Sequence, residues 1–146
     1  MINRLHHTGF VVKDLERMKA FYRDVLGLEV QGEYERTPPY TTNLLALPNA
    51  HLRVVFLGKG PGHLVELVHY VTPQGGDGHQ PKNAFGAAHL CFQVDDLGQV
   101  YRSLSGKGLR FVNPPAERQD PVRGRVRACY AQDPEGNWLE FVEFQR

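Results

Sequence analysis

Apolar residues along this chain alternate with polar ones over short runs, shift to a helical period, then alternate again, and the whole cycle occurs twice. Residues 4–12 open polar and close on Phe10, Val11 and Val12, which suits a short half-buried strand. Asp14 is placed to cap a helix. Its apolar residues Leu15, Met18, Phe21, Tyr22 and Val25 recur at helical spacing, and Gly27 ends it. Alternation returns over 28–35, is broken by Thr37-Pro38-Pro39, and resumes in strands over 52–57 and 63–70 around a Gly-rich turn. Residues 41–47 are too few for periodicity to separate a helical turn from an extended piece. The first half therefore reads βαβββ.

Residues 72–86 hold Pro73, Gly75, Gly76, Gly78 and Pro81 and form a linker. The order then repeats. A strand over 87–94 leads to a helix capped by Asp96 that runs through Val100, Tyr101 and Leu104. A strand over 109–112, a loop over 114–124 and a hairpin of 126–131 with 137–144 around Asp133-Pro134-Glu135-Gly136 complete the half. Direct residue matches support the duplication: His89 falls on His7, Phe92 on Phe10, Val94 on Val12, Asp96 on Asp14 and Leu97 on Leu15, while Val65-Glu66-Leu67 parallels Leu139-Glu140-Phe141. The reading is an α+β fold of two tandem βαβββ modules, module 1 over 4–71 and module 2 over 87–146. With 146 residues in all, two such halves are expected to share one core as a single domain, 1–146.

Composition narrows the function classes. With 17 Lys plus Arg against 16 Asp plus Glu, no overall field favours nucleic acid or an anionic membrane, and a small, locally recognised molecule is the expected partner. No apolar run approaches a membrane span, and the start reads as a strand and not as a signal peptide. Cys91 and Cys129, without a secretory signal, are expected to be reduced in a cytoplasmic protein.

Strand geometry sorts the repeated residues onto two faces. Phe10, Val12, Val65, Leu67, Leu90, Phe92, Val94, Leu139 and Phe141 fall on the face expected beneath the helices. His7, Gly9, Glu66, Val68, His89, Cys91, Trp138 and Glu140 fall on the other. A lone His at a strand start is ordinarily a hydrogen-bonded structural residue, and a lone Glu in an edge strand is ordinarily solvated. Two His and two Glu at repeat-equivalent places are another matter, because carboxylates recurring on such a face imply a compensating cation. Two imidazoles and two carboxylates suit a divalent ion of the first transition row: Ni, Co, Zn, Mn or Fe. Cys91, two residues from His89 on the same face, reads as a small core residue, with a pocket-lining residue as the alternative. Arg118, Arg123, Arg125 and Arg127 read as a solvated basic stretch, with a clamp for a carboxylate or phosphate as the alternative.

The runs His7-Thr8-Gly9-Phe10-Val11-Val12-Lys13-Asp14-Leu15, Phe21 to Leu28, Val65-Glu66-Leu67, His89 to Asp96 and Asp133 to Glu140 resemble the vicinal oxygen chelate superfamily. That superfamily includes glyoxalase I, methylmalonyl-CoA epimerase, extradiol dioxygenases and bleomycin-resistance proteins. The resemblance covers nearly the whole chain and implies a glyoxalase-like fold, in which curved mixed sheets of paired modules enclose a metal site. It implies His7, Glu66, His89 and Glu140 as the ligands, and a homodimer. Glu66 as a fourth ligand sets the chain apart from the dioxygenase pattern. Val11 and Tyr70 stand where glyoxalase I tends to carry Arg and Asn, so glutathione use is not implied.

The expected activity is that of a metal-dependent lyase or isomerase, glyoxalase- or epimerase-like, acting through an enediolate on a small chelating oxygenated substrate. Glu140 would be the base and Glu66 its pseudo-symmetric partner. The alternative is a non-catalytic sequestering protein of the bleomycin-resistance type, ahead of an extradiol-type dioxygenase or a thiol transferase.

Overall fold

The computed structural model describes residues 1–145. The chain forms two compact units, the first spanning Met1–Asp77 and the second beginning at Gly78. Each is built on a curved mixed sheet with few helices, an α+β architecture.

In the first unit, strands β1 (His7–Val11), β2 (Glu29–Arg36), β3 (His51–Gly58) and β4 (Leu64–Thr72) lie in the order β1-β4-β3-β2. β1 runs parallel to β4, and the other pairs are antiparallel. Helix α1 (Leu15–Ala20) starts where expected, with the Asp14 carboxylate accepting the Arg17 N–H at 3.0 Å. It does not continue as a plain α-helix to Gly27. A π-helical turn over Phe21–Val25 follows, closed by Leu26 N–H on Phe21 O at 3.2 Å, and Gly27 takes a φ of +76° beyond it. The extra residue shifts the downstream register, and Phe21 and Tyr22 are both buried with Leu15 and Met18. Residues 41–47, open from the sequence, mostly belong to a short helix, α2 (Tyr40–Leu45). Its Thr41 is fully buried and donates its hydroxyl to Ala50 O.

In the second unit, β5 (His89–Gln93), β6 (Arg110–Phe111), β7 (Ala116–Asp120), β8 (Gly124–Gln132) and β9 (Trp138–Gln145) form a sheet of order β5-β9-β8-β6, with β7 also paired to β8. Helix α3 (Leu97–Gly106) is capped by Asp96, which accepts the Gln99 N–H at 2.8 Å. Strand β7 corrects the loop expected over 114–124. Its ladder with β8 is held by the Arg125–Glu117 ion pair, and the Asp120 carboxylate accepts Val122 and Arg123 N–H at 3.0 and 2.9 Å to turn the chain.

The two-face assignment holds along the strands that matter. Val65, Leu67, Leu90, Leu139 and Phe141 are buried, as are Val12 and Leu97, and each such aliphatic side chain contributes about 1.5–3 kcal/mol by leaving water. The opposite face stays accessible.

Candidate metal centre

Strand pairing places the four predicted ligands two by two. In the first unit, β1 and β4 pair with Gly9 opposite Glu66, so His7 lies diagonally across from Glu66 on one face. Its Nε2 is 3.2 Å from Glu66 Oε2. In the second unit, Cys91 is opposite Glu140, and His89 Nε2 lies 3.1 Å from Glu140 Oε2. The same diagonal thus occurs twice, with the imidazoles 38% and 45% exposed and the carboxylates 15% and 21%. Among the described residues, no group of three or more His, Cys, Asp or Glu is placed to hold a metal ion. Each unit brings together one His and one Glu.

The donor spacing can be tested against what a cation requires. Bonds of about 2.0–2.1 Å to nitrogen and oxygen give adjacent ligand atoms a separation of about 2.9 Å in octahedral and about 3.3 Å in tetrahedral geometry. Separations of 3.2 and 3.1 Å lie within that span. Each His/Glu pair is thus spaced as two adjacent ligands of a divalent ion would be.

Neighbouring groups orient these donors. His6 Nδ1 lies 2.7 Å from His7 Nδ1, so one ring donates to the other. When His7 is the donor, its Nε2 is left with a free lone pair, the state a ligand needs. The His7 ring also meets Phe56 edge-on, with centroids 5.5 Å apart. Gly9 leaves the carboxylate its room: a Cβ there would stand 3.1 Å from Glu66 Oε2, at a backbone angle any residue can adopt. In the second unit the Tyr130 hydroxyl is 3.3 Å from His89 Nε2 and the two rings meet edge-on.

Cys91 is not the core residue expected from the sequence. It is exposed on the His89 face. Partial desolvation of its sulfur, together with the charge of Glu140 and a hydrogen bond to it, pushes the thiol up to about 12. Tyr130 is raised for the same reasons, burial first and Glu140 second. Tyr130 was missed from the sequence, though the signal was present. The Asp133–Gly136 turn fixes Gln132 opposite Trp138, and counting back along the hairpin puts Tyr130 opposite Glu140.

Three of the other histidines have local partners. His63 bonds Thr8, His51 bonds Glu35, and His69 bonds Val12 O. The basic stretch is engaged by its own unit: Arg118 with Asp120, Arg125 with Glu117, Arg127 with Glu143, and Arg123 over the Phe144 ring at 4.9 Å. Trp138 lies beneath the linker, its indole N–H donating to Gln80 O at 3.0 Å and Lys82 standing 5.2 Å from the ring centroid.

Residues 4–141 match the Glyoxalase/Bleomycin resistance protein/Dioxygenase superfamily, and the chain belongs to it. It is 35% identical over 121 residues to the mitochondrial methylmalonyl-CoA epimerase of Bos taurus, covering 80% of this chain and 61% of that protein. It is 29% identical over 153 residues to the lactoylglutathione lyase of Pseudomonas aeruginosa, covering 94% of this chain and 81% of the lyase. In fold it is similar to a glyoxalase family protein from Bacillus cereus, with a TM-score of 0.85 at 21% identity and coverage of 100% and 97% of the two chains. The chain thus spans about three fifths of the length of the bovine epimerase. No helix among the described residues is long and apolar enough to cross a membrane.

Proposed function

We propose that this chain is a divalent-metal-dependent lyase or isomerase acting on a small oxygenated substrate that offers two neighbouring oxygens, with His7, Glu66, His89 and Glu140 as its metal ligands. The observation that carries the reading is the recurrence of the same His/Glu diagonal in both units, with donor atoms 3.2 and 3.1 Å apart. Similarity to an epimerase and to a lyase favours proton transfer over the alternatives. The homodimer expected from the family is part of the proposal.

When bound, the ion supplies a fixed positive charge that acidifies a C–H next to a carbonyl and stabilises the oxyanion that develops. His7 and His89 hold their positions through Nε2. Glu140 takes the proton from carbon and returns it, to another carbon in an isomerisation or to the other face in an epimerisation. Glu66 is its counterpart in the other unit. Both carboxylates are at most about one-fifth exposed, which limits competing water at the transfer step.

The test is metal content by plasma mass spectrometry on untagged protein, wild type and His89→Ala, after reconstitution with Ni, Co, Zn, Mn or Fe. About one ion per site in the wild type, lost in the variant, is the expected outcome. Solvent deuterium entering a 2-oxo or 2-hydroxy substrate in the wild type but not in Glu140→Gln separates enzyme from sequestering protein. A wild type that takes up none of these ions ends the proposal.

A further inference from the structure

The two half-sites have the same ligand pair but different neighbours. Glu66 pairs in register with Gly9 on one side and Phe56 on the other, and neither carries a side-chain donor. At the equivalent places Glu140 pairs in register with Cys91 and Tyr130, each of which carries a side-chain donor, a thiol and a phenol hydroxyl. The same hydroxyl reaches to 3.3 Å from His89 Nε2. Two apolar positions in one unit are thus two donor positions in the other.

A carboxylate that withdraws from a cation needs donors where it goes, because an unpaired, partly buried charge is costly. Glu140 has a thiol and a phenol to turn to. Glu66 faces an aromatic ring and a glycine. We propose that Tyr130 and Cys91 are positioning residues that give Glu140 a hydrogen-bonded place off the metal, so that Glu140 can yield its position to a bidentate ligand. The inference rests on the metal reading above and deepens it, since it assigns unequal tasks to two ligands that the repeat makes formally equivalent.

The probe is acetohydroxamate, which offers two neighbouring oxygens, added to cobalt-loaded protein. Cobalt affinity comes from competition with a chelator and hydroxamate affinity from the visible cobalt bands. In Tyr130→Phe, and in Tyr130→Phe with Cys91→Ala, cobalt affinity is expected to stay within about threefold of wild type. Hydroxamate binding is expected to weaken by roughly tenfold or more, the scale of a lost hydrogen bond to a charged group. Tyr130→Phe keeps the ring and its packing, so it remains informative if the double variant does not fold. Unchanged hydroxamate affinity would overturn the assignment. So would loss of cobalt in step with hydroxamate, which would mean that the donors hold Glu140 on the metal. A wild type that binds no cobalt defeats the metal reading itself and is recognised before any variant is made.

Discussion

The Glu143 carboxylate accepts the backbone N–H of Leu97 at 2.6 Å, joining the last strand of the second unit to the first turn of α3. Glu143 is 1% exposed, and Arg127 approaches the same oxygen at 3.4 Å. A carboxylate so enclosed holds the helix by its end and is in turn neutralised by the guanidinium. Glu143→Ala would leave the Leu97 N–H and a half-buried Arg127 without their acceptor and is expected to cost about 3 kcal/mol, with Glu143→Gln milder because an amide oxygen remains. Urea unfolding of the two variants measures this. A loss below about 0.5 kcal/mol for the alanine would show that the contact contributes little.

Asp120 is held low, at about 2 against an ordinary 3.8, chiefly by the Arg123 N–H, then by the Arg118 side chain and the Val122 N–H. Because the folded value is the lower one, its contribution to the β7–β8 hairpin is complete above about pH 4 and fades as the pH falls towards 2. Carboxyl-carbon NMR should give Asp120 a midpoint near 2, with the Val122 and Arg123 amide shifts moving in parallel. A midpoint at the ordinary value would remove the proposed turn contacts.

Cys129 is buried, and that burial pushes its thiol up to about 11, an effect that the nearby Arg127 opposes. At pH 8 almost none of it is thiolate. Iodoacetamide should therefore modify Cys129 at least about a hundredfold more slowly than a free cysteine, and at an ordinary rate in urea. Peptide mass spectrometry reads the residue separately from Cys91, and rapid labelling in the folded protein would contradict the burial.

Gly9→Ala would bring a Cβ to 3.1 Å from Glu66 Oε2 without straining the backbone. The carboxylate must then shift by a few tenths of an ångström. Under the proposed ligand set, cobalt affinity should fall roughly tenfold while the unfolding midpoint hardly changes. Equal affinity in the two proteins would place Glu66 off the metal.

What was legible in the sequence came through duplication. His7 and His89, or Asp14 and Asp96, are individually ordinary; it was their recurrence that located the helix caps and the strands before them, though those strands begin at His7 and His89 and not at 4 and 87. The face assignment followed from period-two alternation and agrees with the burial of Leu67 and Leu139 against the accessible Glu66 and Glu140. Strand β7 was not legible because Glu117, Arg118 and Gln119 are all exposed, leaving no apolar alternation to mark it. Its backbone ladder with β8 carries the Arg125–Glu117 contact and is closed by the Asp120 turn. For Cys91 residue type pointed to the core and position two residues from His89 to the accessible face, and the structure follows position. The π-helical turn after Ala20 had no local marker, since Phe21 and Tyr22 suit an α-helical stripe equally well.

Trp138 is the chain's single tryptophan, and it pairs in register with His89. All indole emission therefore comes from one point beside the second half-site, under a linker that reaches the ring through Gln80 and Lys82. A paramagnetic ion held by His89 would quench that emission at short range, whereas release of the linker would shift its colour towards that of indole in water. The protein thus carries a built-in optical reporter, able to distinguish occupancy of the second half-site from movement of the segment above it without any added label.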